Sequence, residues 1–150
     1  MSRAAALRRI AKLYGVVEDT HALALQQATA HVLETEKAIH HEHIAIASAA
    51  TAGRTALSMG EREDWLLAHT HGELSAARAG LLEGLKAQRV EAQSAARNEF
   101  LASRLKTEQM KQLVTRMTEH AALEEGRRTQ AVSDDRYAAR RTWLANRHTR

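Results

Sequence analysis

The 150-residue chain contains no cysteine and no proline. Without cysteine there is no disulfide framework, no thiolate metal site and no thiol nucleophile, a usage that fits a reducing compartment. Without proline nothing forces a helix to break. Aromatic residues are only 3% of the chain: Tyr14, Trp65, Phe100, Tyr137 and Trp143. Compact cores draw much of their buried area from such side chains, so this composition argues against a globule. The hydrophobic fraction is 44%, but alanine supplies much of it. Seven glycines imply few turns. No apolar run approaches the length of a membrane span. The basic start, MSRAAALRRIAKLYG, lacks the apolar stretch of a secretory signal, and its stripe continues into the next turns.

What is present is helix-forming sequence. Residues 61–146 are rich in Ala, Leu, Glu, Lys, Arg and Gln, the strongest helix formers. Read as one helix, this stretch is ~130 Å long at ~1.5 Å per residue. Such a rod needs a partner, and residues 3–51 supply it. There Leu7, Ile10, Tyr14, Val17, His21, Leu25, Ala28, Val32, Thr35, Ile39, Glu42, Ile46 and Ala49 follow a three-four spacing, with two fours around His21. That is a heptad seam with one stutter. Leu13, Val16, Leu23, Leu33 and Ile44 lie off the line and widen the apolar face.

Between the arms, Gly53 and Gly60 bracket AGRTALSMG, and Ser58 stands three residues before Glu61 in the spacing of a capping box. Five of the seven glycines fall between Gly53 and Gly84. The turn region is therefore placed at 52–60, and its end is left open as far as 84. In the second arm a seam counted from Leu74 through Leu81, Leu85, Leu113 and Leu123 also takes in Arg78, Glu99, Lys106 and Arg116. It predicts an adaptable pairing rather than a rigid zipper. The expected fold is all-α: a single domain over residues 1–150, built as a long antiparallel two-helix coiled-coil hairpin with an interrupted, glycine-containing middle.

Charge is uneven. Residues 1–52 hold five basic and five acidic side chains, whereas the last 25 residues carry seven arginines against Asp134 and Asp135. Two readings stay open for this end: a solvated helix terminus favoured by the helix dipole, or a docking surface for an acidic partner. A nucleic-acid reading lacks the layout of a basic zipper or helix-turn-helix. His40 and His43 share a helical face with Glu36, and His41, His69 and His71 lie near in sequence or across the hairpin. A di-iron bundle needs two Glu-x-x-His motifs, and only Glu18–His21 has that spacing. These histidines read as solvated or at the seam edge, so no metal and no cofactor is expected. No phosphate loop, nucleophile elbow or catalytic triad is present, and the chain is not expected to be an enzyme.

Two stretches carry a resemblance. The opening, ALRRIAKLYGVVEDTHALALQQA, resembles the first helix of the FliJ/YscO family of type III export proteins. The later LVTRMTEHAALEEGRRTQAVSDDRYAARR is similar to that family's closing pattern, through Glu125, Arg128, Gln130, Asp134, Asp135, Arg140 and Arg141. Asp135 stands where the family usually has Glu, and the middle of the chain has fewer tyrosines than the family pattern. The resemblance, closest to the flagellar branch, implies a non-enzymatic coupling factor. It would bind the hexameric export ATPase as a central stalk, contact the membrane export gate and, in flagellar systems, handle export chaperones. It would be cytoplasmic, peripheral at the inner membrane. On that reading Ile39, His43, Ile46, Trp65 and Leu66 form a gate-contacting patch at the hairpin tip. Arg8, Arg9, Arg128, Arg136 and Arg140 gather at the other end for the ATPase. The rival classes are a structural coiled-coil scaffold or adaptor and a ferritin-like helical metal protein.

Overall fold

The computed structural model describes the backbone of residues 3–148 and the side chains of 5–147. Two helices account for it: α1, Arg3–Met59, and α2, Arg62–His148, packed against each other as a hairpin. Contacts divide the chain into two units, Val17–Ser103 and Met1–Val16 with Arg104–Arg150.

The turn is shorter than the sequence predicts. Helix α1 continues through 52–59, and no interruption follows Gly60 and Glu61. Gly60 adopts a left-handed conformation, φ 75°. Its N–H donates to the Leu57 carbonyl at 3.2 Å, and the Glu61 N–H donates to Ala56 at 2.9 Å. That pair of bonds is a Schellman motif, which satisfies carbonyls left over at a helix end. The Glu61 carbonyl then accepts from Trp65 N–H at 3.0 Å, opening α2 with Glu63 and Asp64 in its first turn, where carboxylates favour the positive end of the helix dipole. Ser58 is not the predicted cap: its hydroxyl donates back to the Thr55 carbonyl at 2.7 Å.

Gly53 does not break α1 because it is a contact position. A Cβ there would lie 3.8 Å from the Ala68 Cβ, and one on Gly72 would lie 3.5 Å from the Ala49 Cβ. The helices approach through small residues. In Val17–Ser103 the less exposed positions of α1 run Glu18, His21, Leu25, Ala28, Val32, Thr35, Ile39, Glu42, Ile46, Ala49, Gly53 and Ala56. The steps alternate three and four without the predicted stutter, because Glu18 replaces Val17 on this face. Those of α2 run Trp65, Ala68, Gly72, Ser75, Ala79, Leu82, Lys86, Arg89, Gln93, Ala96, Phe100 and Ser103. This seam lies one residue off the predicted one, which places Leu74, Leu81 and Leu85 on its exposed flank.

Polar side chains cross this seam where it lacks large apolar ones. Thr35, 2% exposed, donates to the His31 carbonyl at 2.8 Å and accepts from Arg89 Nη1 at 2.7 Å. Arg89 also donates to the His31 carbonyl at 2.9 Å. Gln93 Nε2 donates to Thr29 Oγ1 at 3.0 Å, and Lys86 Nζ stands 3.1 Å from Glu36 Oε1. His21 Nδ1 lies 3.5 Å from Glu99 Oε2. Such pairs cost stability relative to apolar packing but fix register.

In the other unit Leu7, Ala11 and Tyr14 of α1 are the partly buried line, with Ile10 exposed. Across from them on α2 are Thr107, Met110 and Val114. Thr107 Oγ1 donates to the Tyr14 carbonyl at 3.3 Å. Every described side chain of α2 beyond Val114 is exposed. With Thr107 level with Tyr14, the start of α1 falls level with about residue 118, counting ~1.5 Å per residue along both helices. The rest of α2 is an unaccompanied extension.

Glycine substitutions should separate the two roles. Gly60→Ala, with open space around it but a left-handed backbone, should lower unfolding free energy by about 1 kcal/mol. Gly72→Ala meets Ala49 at ordinary contact distance and should raise stability by about 0.5–1 kcal/mol through helix propensity. Urea unfolding followed by circular dichroism measures both, and equal signs would refute the assignment.

Candidate docking surface at the hairpin tip

Small seam residues leave the larger side chains of Val17–Ser103 on its flanks, and two grooves result. The larger, about 1090 Å³, runs beside the seam near the turn. Its floor is alanine and serine from α1 with Ala68 from α2, and Ile44 and Leu67 stand at its rims. Glu61 and Asp64 place two carboxylates at the turn end, and His71 lies farther along α2. Leu67 is 72% exposed. It begins a heptad-spaced row with Leu74 and Leu81, all exposed and followed by Leu85. Contiguous exposed apolar side chains of this kind mark interaction surfaces in soluble proteins.

The second groove, about 300 Å³, lies on the opposite flank, between Ile46, Gly53 and Leu57 of α1 and Trp65 and His69 of α2. The Trp65 and His69 rings stack with centroids 5.3 Å apart and planes 2° from parallel. The absent side chain at Gly53 leaves space beside the indole, whose Cδ1 would be 3.8 Å from a Cβ there. Trp65 is thus half-buried against α1 while its outer edge and the stacked imidazole face solvent.

The predicted tip patch is therefore divided. Ile46 and Trp65 share the smaller groove. His43 and Leu66 are exposed and line neither groove. Ile39 is 6% exposed and cannot belong to a contact surface; as a seam position it packs between the helices. The sequence reading places Leu74, Leu81 and Leu85 in the interior because its α2 seam is offset by one residue; Ile44, which it sets off the α1 line, and Leu67 are not among its contact residues. A signal was present: the correct line keeps strict three-four spacing through Gly72, Ser75 and Ala79, and small residues at that spacing indicate close helix approach.

The predicted basic end is also divided. Arg8 and Arg9 are exposed on α1, and Arg128, Arg136 and Arg140 are exposed on the extension. Arg8 falls level with about residue 113, leaving Arg128 ~22 Å farther along α2. With Thr107 bonded to the Tyr14 carbonyl, these groups do not come together. The Arg3 side chain lies outside the described residues. On the extension Gln130 Nε2 donates to Asp134 Oδ1 at 2.9 Å, and the Arg147 guanidinium lies 5.2 Å from the Trp143 ring centroid.

Among the described residues no three His, Asp or Glu side chains gather as a metal site, and no helix is long and apolar enough to cross a membrane. Compared with protein-family models, curated proteins and solved structures, the chain has no match.

Surface and packing residues at the tip should respond differently to substitution. Ile44→Ser and Leu67→Ser should leave stability within about 0.5 kcal/mol of the parent, as expected for exposed side chains. Trp65→Ala removes a half-buried ring and should cost roughly 2 kcal/mol. Thermal unfolding monitored at 222 nm reads both, and a large loss for Leu67→Ser would make it a packing residue.

Proposed function

We propose that this chain is a non-enzymatic coupling component of a bacterial type III protein export apparatus, flagellar or virulence-associated. Its basic α2 extension docks with the hexameric export ATPase in the manner of a central stalk, and its hairpin tip meets the membrane export gate. Export chaperones are further partners in a flagellar system. On this reading the protein works at the cytoplasmic face of the inner membrane as a peripheral component.

The observation that carries this reading is the solvated extension of α2. An antiparallel hairpin in which one helix outruns its partner presents a single basic helix, able to enter a ring too narrow for two. Arg127, Arg128, Arg136, Arg140 and Arg141 are all exposed along it. Individual rim ion pairs contribute only ~0–1 kcal/mol and weaken with salt. Several together steer encounter and set the association rate. At the tip, the exposed Ile44, Leu66 and Leu67 and the half-buried Trp65 supply apolar anchors for the gate.

The test is a pull-down with the cognate export ATPase, followed by stopped-flow association. Arg136→Glu with Arg140→Glu should slow association by roughly ten-fold at low salt, and parent binding should fall as salt rises. Association unchanged by the double reversal and indifferent to salt would leave a scaffold or adaptor as the better reading. Ile46→Ala with Trp65→Ala should weaken gate binding while circular dichroism retains the helical signal.

A further inference from the structure

The extension of α2 carries a second seam that no described residue of α1 covers. Glu125, Thr129, Val132 and Arg136 follow steps of four, three and four, so they share one face, and all are exposed. Together with Arg128 and Ser133 they surround a shallow groove of about 450 Å³. The order of these side chains is self-complementary. When the stretch is laid antiparallel on a copy of itself, with the two-fold axis between Gln130 and Ala131, Glu125 faces Arg136 of the second copy and Thr129 faces its Val132. Arg128 faces Ser133. One step outward on the same spacing, Ala122 faces Ala139, and Thr118 faces Trp143, a small residue against a large one.

Charge follows the same symmetry. Before the axis lie Glu119, Glu124 and Glu125 with Arg127 and Arg128, and beyond it lie Arg136, Arg140 and Arg141 with Asp134 and Asp135. Within one chain Glu125 and Arg136 are eleven residues apart, ~17 Å along the helix, so they cannot pair with each other. Antiparallel pairing of two copies sets Glu125 against Arg136 and Arg127 against Asp134 at both ends, whereas parallel in-register pairing sets like against like.

The seam also repeats the chemistry of the covered one. In the hairpin, Thr35 back-bonds to the His31 carbonyl and its oxygen receives Arg89 from the facing helix. On the extension Thr129 Oγ1 back-bonds to the Glu125 carbonyl at 2.9 Å in the same way. Its free lone pair faces solvent, one turn from where the second copy's Arg136 would arrive.

We infer that residues 118–143 are a homodimerisation surface on which two copies of this chain pair antiparallel about a two-fold axis between Gln130 and Ala131. The occupant is a second copy because the seam is complementary to itself in size, polarity and charge, as an isologous interface requires. The seam shares Arg128 and Arg136 with the proposed ATPase contact, so pairing and ATPase docking exclude one another; the test uses the purified protein alone, so its failure leaves the export reading standing.

The test is sedimentation equilibrium of the full chain with two single variants. Each reversal acts twice across a two-fold interface. Glu125→Arg alone and Arg136→Glu alone should therefore each weaken self-association by roughly ten-fold. Mixed in equal amounts, the two variants place Arg opposite Glu at both sites and should recover the parent affinity as a heterodimer. Circular dichroism should show unchanged helicity in both. Since the chain has no cysteine, a mixture of Thr129→Cys and Val132→Cys proteins offers a second readout and should form an intermolecular disulfide on mild oxidation. A parent chain that stays monomeric at every concentration reached overturns the proposal. So does a mixture that associates no better than its components.

Discussion

The structure depends on how closely two helices can approach. At Ala49–Gly72 and Gly53–Ala68 the backbones are separated by little more than one methyl group. Alanine, glycine, serine and threonine occupy most of the seam near the turn, and each buries little apolar area. At ~25 cal/mol per Å² this line yields less than a leucine zipper would. What it offers is proximity: helices held this near bring many backbone and Cβ atoms into dispersion contact. The two-residue turn is part of the same constraint. A Schellman closure at Gly60 returns the chain at once, and Gly53 and Ala56 lie opposite Ala68 and Trp65 because no loop residues intervene.

A seam of small residues has little intrinsic register, since one alanine resembles the next. The cross-helix polar contacts supply it. Arg89 reaches both Thr35 and the His31 carbonyl, Gln93 reaches Thr29, and Lys86 reaches Glu36. A slip of one heptad would break all of these contacts at once, and each lost partner of a buried polar group costs about 1–3 kcal/mol. Threonine is well suited to the receiving side. Its hydroxyl proton returns to its own helix, as at Thr29 and Thr35, and the oxygen is left to accept from the other.

Close approach has a consequence for function. Near the turn small residues fill the seam, and several large apolar side chains stand on the flanks instead. Ile44, Leu67, Leu74 and Leu81 are among those that face solvent. In the other unit the described side chains of α2 beyond Val114 are all exposed. A solvated helix with acidic residues before basic ones is stable enough through its alanines and its local bonds, such as Gln130 to Asp134. It still offers a partner an unshielded seam.

Helix content and the antiparallel pairing were legible in the sequence, because they rest on composition and on periodicity in α1, from His21 through Ala49, which are local properties. The absence of an apolar span was equally plain. Hidden from the sequence were the register of α2, the shortness of the turn and the division of the predicted contact residues. A leucine-weighted reading follows the largest apolar side chains, and here these flank the seam instead of filling it. Gly53 reads as a break by local propensity, yet it is retained in a helix because Trp65 and Ala68 pack over it. Ile39 looks like a surface anchor beside a glycine-rich turn, but once the turn moves to Gly60 it lies well inside the seam. Arg8 and Arg128 seem poised to meet until the contact of Thr107 with Tyr14 fixes which residue of α2 stands level with which residue of α1. Local sequence determined that there would be two helices and roughly where one yields to the other. Only packing between them, a property of residue pairs far apart in the chain, decided which faces are covered and which remain open to a partner.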